Sequence, residues 1–335
     1  MKKTAKTIIK IPPILFKETQ KLIGTISGQL GAPLICYWNS VAGEICMNDA
    51  IALRQVVHHV GRNQRLFMFI KSDGGVGRVS LRMVNILRHY NDRLISLIPL
   101  NCESAATMLA LGSDEIRMGP LAFLTPVDTS ITHDLSPIDK DNDRVRVGQN
   151  ELDRIINLWN RENGAASKNP YDALYGYLHP LVIGAVDRAR SLSLMLCREI
   201  LSYHMDDAKR IDRISTSLNS DYPAHGYPIM LKEARRVGIN AAELDPAIEA
   251  LLLELNEAYS EMGQQCRTDV DEFNHHDNEI LNIHETSGMM IFFRVDKDWH
   301  FRQADRTWVY TNEKSSWWMN SLEGGRLRTE KFHIR

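Results

Sequence analysis

Much that would narrow the function of this 335-residue chain is missing from it. Its five cysteines (Cys36, Cys46, Cys102, Cys197 and Cys266) are scattered, odd in number and without Cys-x-x-Cys spacing. That usage argues against a disulfide framework and for reduced thiols in a cytoplasmic protein. Charge of one sign is also lacking: 40 basic against 42 acidic residues leave a formal net charge of −2, so nothing favours nucleic acid or an anionic membrane as partner. No stretch approaches the ~20 apolar residues needed to cross a bilayer. The basic opening, MKKTAKTIIKIPPILF, is interrupted by Lys10 and Pro12-Pro13 too early to read as a signal peptide. A soluble chain without a membrane anchor is the expectation. Neither a phosphate loop of the Walker type nor a dinucleotide fingerprint occurs, and no cofactor is expected.

What is present is a run of alternating elements between Arg65 and Ser130. A short apolar strand (Leu66 to Ile70) leads into a loop carrying Asp73-Gly74-Gly75, then an amphipathic helix with Val76, Val79, Met83, Ile86 and Leu87 on one side. Leu94 to Leu100 make a second buried strand. The turn Asn101-Cys102-Glu103-Ser104, a small-residue helix (Ala105 to Leu111) and a third strand (Glu115 to Met118) follow, ending at Thr125-Pro126-Val127-Asp128. Short apolar runs alternating with helical periodicity predict parallel strands joined by crossovers. Upstream, Pro33 to Trp38 reads as another core strand and Asn48 to Val60 as a helix, with Asp49 suiting its dipole.

Two strand ends in this unit carry chemistry. Gly74-Gly75 let the backbone bend sharply and bring bare N–H groups close to a ligand. Ser104 falls where a strand turns into a helix, facing the glycine loop: a workable nucleophile and oxyanion-hole arrangement. The bland reading of Ser104 is a helix N-cap, and that of the glycines a tight turn.

Together these motifs give a resemblance. The order strand–SDGG–helix–strand–Ser-Ala-Ala–helix–DEIRMGP–LTPVD, followed later by His225-Gly226-Tyr227-Pro228-Ile229, Glu233-Ala234 and Val237-Gly238-Ile239, resembles the serine dehydrogenase proteinase family. That family belongs to the Clp-fold serine peptidases of the crotonase-like superfamily, and the likeness spans roughly Leu34 to Gly263. It implies an α/β fold of repeated ββα units with a helical arm, a peptide or protein substrate, and a homo-oligomer. It also implies a Ser–Asp–His order along the chain: Ser104 as nucleophile, Asp128 as orienting acid and His225 as base, with Gly74, Gly75 and Ala105 supplying oxyanion-hole N–H groups. The loop departs from the more common Ser-Pro-Gly-Gly, and Ala-Ala follows the serine where Ala-Gly is common.

Alternatives stay open. His133-Asp134 is a rival base–acid pair, Asp134 a rival to Asp128, and Lys71 or Lys140 would serve a serine–lysine dyad. A crotonase-type acyl-CoA hydrolase or hydratase would use the same glycine loop, though no carboxylate pair near Gly75 is evident in the sequence. A catalytically inactive scaffold or regulator is the non-enzymatic reading.

The remaining organisation is coarser. Residues 1–31 read as an amphipathic lead-in, 32–263 as the main domain with a helical insertion at about 147–218, and 281–335 as a small antiparallel β appendage rich in tryptophan (Trp299, Trp308, Trp317, Trp318). Asn274-His275-His276-Asp277 with His284 resembles a ligand cluster but lacks i, i+4 spacing. It reads as a solvated polar connection, and no metal is expected.

Overall fold

The computed structural model describes residues 8–163 and 169–334. The first residues of the lead-in, and most of the Asn163-to-Pro170 break expected in the helical arm, lie outside the described residues. The chain opens with helix α1 (Phe16–Leu30) and then alternates: β1 (Leu34–Asn39), α2 (Met47–Val60), β2 (Asn63–Lys71), α3 (Gly77–Tyr90), β3 (Asn91–Ile98), the short β4 (Asn101–Cys102), α4 (Ala105–Leu111), β5 (Glu115–Met118) and the short β6 (Phe123–Leu124). The pair β7 (Ser130–Ile131) and β8 (Val147–Gly148) leads to a helical arm of α5 (Gln149–Asn163), α6 (Pro170–Leu174), α7 (Pro180–Ser202) and α8 (Ala208–Ser220). Then come α9 (Leu231–Val237), β9 (Ala241–Glu243) and α10 (Pro246–Met262). The last strands are β10 (Cys266–Asp269), β11 (Asn274–Thr286), β12 (Met289–Arg302), β13 (Thr307–Glu313), β14 (Ser316–Glu323) and β15 (Arg326–Lys331).

The architecture is mixed α/β around one large sheet. Strands β1, β2, β3, β5 and β9 run parallel in that order, and β11 joins the free side of β1 antiparallel, followed by β12, β14 and β15. Strict alternation along each parallel strand sends side chains to two cores. Ile35, Tyr37, Leu66, Met68, Ile70 and Leu94 pack with α2, α3 and α4 on one face, whereas Leu34, Cys36, Trp38, Phe67, Phe69, Ile95 and Leu97 pack with α1 and α10 on the other. Both faces are covered, which is why these strands read as continuous apolar runs. Each fully buried Leu, Ile or Phe there stabilises the fold by roughly 1.5–3 kcal/mol.

A second, smaller ladder crosses the carboxyl ends of these strands and positions the site. Ile45 bridges Gly75, Ser72 bridges Cys102, β4 pairs with β6 through Cys102 and Leu124, and Leu124 pairs with Ile229. Each unit is therefore a long strand, a short strand turned out of the sheet, and a helix, which is the repeated ββα pattern.

The C-terminal region departs from the expectation of a polar linker before a β appendage. Asn274–Thr286 is one 13-residue strand, paired with β1, β10 and β12, in which His275, His276 and His284 are buried. Part of its polar run is paired: His276 Nδ1 lies 2.7 Å from Asp298 Oδ1 on β12, and within the strand Asn278 meets His276 Nε2 at 2.9 Å. Helix α1 docks on the core of its own chain through Phe16, Ile23 and Ile26, with Thr19 and Gln20 bonded to Glu285.

Candidate active site

The glycine loop follows directly from the end of β2. Ser72 is fully buried, and its Oγ accepts the Gly74 N–H at 3.1 Å. Gly74 (φ 105°) and Gly75 (φ 136°) occupy backbone conformations that side chains rarely tolerate. Space forbids a side chain as well: a Cβ on Gly75 would stand 2.5 Å from the Ile45 backbone nitrogen and oxygen. The Gly74 carbonyl accepts from Ile45 N at 2.7 Å, and the Ile45 carbonyl accepts from Val76 N at 2.9 Å, so the loop is stitched to the preceding unit on both sides of Gly75. Among the described residues, the N–H groups of Gly75 and Ala105 donate to no other group of the protein, whereas that of Gly74 is taken by Ser72.

Ser104 stands immediately before α4 with φ 51° and ψ −114°, a conformation a serine occupies only when its surroundings impose it, at a cost of about 1–3 kcal/mol. Its hydroxyl makes no capping bond to the helix it precedes, which removes the N-cap as the reason for a serine here. The backbone holds it instead. Ser104 N–H donates to the buried Thr125 Oγ1 at 2.7 Å, and Thr125 N–H donates to Thr107 Oγ1 at 3.1 Å. The strand–helix junction and the Thr125–Asp128 segment are thus fastened together.

His225 and Asp128, 97 residues apart, meet through Nδ1 and Oδ1 at 2.9 Å. The imidazole is about half exposed while the carboxylate is largely covered, with side-chain exposures of 51% and 17%. The Asp128 hydrogen bond raises the imidazole pKa above its ordinary value against the opposing effect of burial, and the Asp128 and Glu103 charges add to the rise. Leu124 and Ile229 exchange backbone hydrogen bonds at 3.0 and 2.8 Å, which ties the loop carrying His225 to the segment carrying Asp128. Asn150, which sequence reasoning passed over, donates from Nδ2 to Asp128 Oδ2 at 3.1 Å. Among the described residues no hydrogen bond joins Ser104 Oγ to His225.

The rival groups are arranged differently. His133 Nδ1 accepts the Leu135 N–H at 3.1 Å and Asp134 pairs with Arg144, so these two do not form a base–acid pair with each other. Lys140 is exposed in the loop after β7. Lys71 donates to the Asn39 carbonyl at 2.9 Å and lies over Trp38; burial lowers its pKa against the charges of Asp73 and Glu103. His284 is committed to Asp49, and among the described residues no group of three or more His, Cys, Asp or Glu side chains could hold a metal ion.

One feature corrects the sequence reading. Asn101 Nδ2 bridges Asp73 and Glu103, reaching Glu103 Oε1 at 3.1 Å, so two carboxylates do stand beside Gly74 and Ser104. Burial raises the Glu103 pKa, and the neighbouring Asp73 charge adds to it. The pair was hidden because its members sit on different units, 30 residues apart, joined only by the small ladder.

No family model matches the chain, and no curated protein matches it in sequence. Solved structures similar to it include a membrane-bound stomatin-specific protease, at 11% identity and a TM-score of 0.39 over 70% of this chain and 88% of the other. Another is DspI of Pseudomonas aeruginosa, at 14% identity and a TM-score of 0.29 over 68% and 76%. A third is a probable enoyl-CoA hydratase/isomerase of Mycobacterium abscessus, at 12% identity and a TM-score of 0.28 over 66% and 67%.

Proposed function

We propose that the protein is a serine hydrolase that cleaves peptide bonds through an acyl-enzyme at Ser104. The observation that carries this reading is the His225–Asp128 contact at 2.9 Å, laced by hydrogen bonds to the segment that holds the backbone of Ser104 in a strained conformation. A serine hydroxyl is unreactive at neutral pH without a base. In this reading His225 Nε2 takes the hydroxyl proton as Oγ attacks the carbonyl carbon, while Asp128 holds Nδ1–H and stabilises the imidazolium. The tetrahedral oxyanion is received by the N–H groups of Gly75 and Ala105; Gly74 contributes by its lack of bulk, since its own N–H serves Ser72. Collapse passes the proton to the leaving amine, and a water activated by His225 then hydrolyses the ester.

No described helix is long and apolar enough to cross a membrane. The exposed Leu181, Leu192 and Met195 on α7 support contact with a second copy of the chain, to be read from the mass in solution by light scattering.

A second reading rests on the Asp73–Asn101–Glu103 bridge. Two carboxylates beside a glycine loop suit addition of water across the double bond of an α,β-unsaturated acyl thioester, with the same N–H groups polarising the thioester carbonyl. The two separate in one experiment: intact protein is treated with a fluorophosphonate and the adduct located by mass spectrometry. Modification at Ser104 that is lost in His225→Ala supports the peptidase. Absence of an adduct at Ser104, together with thioester turnover that survives Ser104→Ala, would replace it with the second reading.

A further inference from the structure

We infer that Asn150, the second residue of α5, is a positioning residue that presents the Asp128 carboxylate to His225. The inference rests on the proposed pairing of these two groups in catalysis and assigns a role to the helical arm within it. Asp128 has two oxygens in different surroundings: Oδ1 faces His225 Nδ1 at 2.9 Å, and Oδ2 accepts from Asn150 Nδ2 at 3.1 Å. A carboxylate held at one oxygen only can turn about its Cβ–Cγ bond; held at both, it has one orientation. The same Asn150 amide lies 3.4 Å from the Asn219 carbonyl, one residue before the end of α8. From that end the chain enters the loop that carries His225. One side chain of the arm therefore touches both the acid and the origin of the base's loop.

The arm is itself braced for this task. Arg190 of α7 reaches Asp153 of α5 at 3.2 Å and Ser220 Oγ at 3.0 Å, and Gln149 Nε2 donates to Asp153 Oδ1 at 2.8 Å. Ser193 Oγ donates to the Val127 carbonyl at 2.8 Å, and Val127 N–H donates to the Leu218 carbonyl at 2.9 Å. The first turn of α5 is thus anchored to α7, α7 to the residue before Asp128, and that residue to α8. A side chain mounted on so many fixed points holds its partner to the fraction of an ångström that proton transfer demands.

Asn150→Ala and the size-matched Asn150→Leu test the assignment, with Tyr203→Phe as control. The control removes the hydrogen bond that Tyr203, the residue following α7, donates to Asn85 of α3, a contact that involves neither Asp128 nor His225. Titration of the His225 ring by NMR in the whole protein is the principal readout, because it registers orientation of Asp128 whether or not any substrate is cleaved. The raised pKa of His225 is expected to fall toward the ordinary histidine value in both Asn150 variants and to stay in place in Tyr203→Phe. Fluorophosphonate labelling of Ser104 should slow on the order of 10-fold or more in the same two variants. An unchanged or higher His225 pKa in folded Asn150→Leu overturns the positioning role. Absence of labelling in the parent protein, with the titration shift intact, overturns the peptidase reading and leaves the Asn150 assignment standing.

Discussion

Gly74 packs directly against Ser104: a Cβ added to the glycine would lie 2.9 Å from the serine Cβ and 2.8 Å from the Glu103 carbonyl oxygen. At least one of these neighbours is backbone and cannot swing away. Gly74→Ala is therefore expected to push the strand–helix junction outward and to strain a φ of 105°. The cost in urea unfolding should be about 1–3 kcal/mol. Labelling of Ser104 should fall further than stability does, because the proposed Gly75 and Ala105 donors move with the junction. Labelling at the parental rate would show that the close approach is packing alone.

His225 predicts the pH behaviour. Its pKa is raised chiefly by the Asp128 hydrogen bond, so labelling of Ser104 should rise with pH through a midpoint above the ordinary histidine value of about 6.5. Asp128→Asn should lower the midpoint and slow labelling on the order of 1,000-fold or more, through loss of the tautomer and of imidazolium stabilisation. The stability linkage has the sign of a raised histidine. The pair's contribution is fully present below the unfolded value near 6.5 and is lost as pH rises through the higher folded value. With half of the imidazole in solvent that contribution is small, and the labelling profile is the measurement that decides.

The pair formed by Asp49 and His284 is of a different kind, because neither side chain has solvent contact. His284 Nε2 lies 2.7 Å from Asp49 Oδ1; Asn282 Nδ2 donates to both carboxylate oxygens, and Cys46 N–H donates to Oδ2 at 2.7 Å. This knot binds the start of α2 to β11 and so fastens the C-terminal strands to the parallel units. His284→Ala leaves the carboxylate buried with fewer partners and should cost about 3–5 kcal/mol in chemical denaturation. A loss below about 1 kcal/mol would mean that water replaces the imidazole at no expense to the fold.

Legibility in the sequence followed the physics of each element. Strands buried on two faces, such as Leu34–Asn39, announce themselves as apolar runs, and the helices between them by their period. Gly238 ends α9 in the left-handed conformation expected of a glycine after a helix. The contact of His225 with Asp128 is legible only through the order of several motifs, since no local rule links the two across 97 positions. Asn150 stayed invisible because a polar residue at the start of a helix has an ordinary explanation in capping. Strand β11 reads as a polar connection for the opposite reason. Its first half, Asn-His-His-Asp-Asn, carries no hydrophobic alternation, and what makes it a buried strand is Asp298 and Trp299 on β12, residues the local pattern does not include.

Glu285 gives the sharpest stability prediction. It is fully buried on β11 without a cationic partner among the described residues, and burial raises its pKa to about 7 against three hydrogen bonds that favour the charge. Thr19 Oγ1 donates to Oε1 at 2.6 Å, Gln20 Nε2 donates to Oε1 at 2.8 Å, and Tyr259 OH donates to Oε2 at 2.7 Å. The carboxyl therefore joins α1 and α10 to the sheet. Because the folded pKa is raised, the native state keeps a proton that the unfolded chain releases near pH 4.5. This group's contribution falls as pH rises from about 4.5 to about 7 and is flat beyond, opposite in sign to a salt-bridged carboxylate. Glu285→Gln keeps an oxygen for Thr19 and Gln20 and removes the buried charge. It should stabilise the protein above pH 7 by on the order of 2 kcal/mol, and flatten that part of the pH dependence. Urea unfolding of both proteins at pH 5 and pH 8 measures the difference. Equal destabilisation of Glu285→Gln at the two values would mean that hydrogen-bond geometry, not the charge, governs the docking of α1.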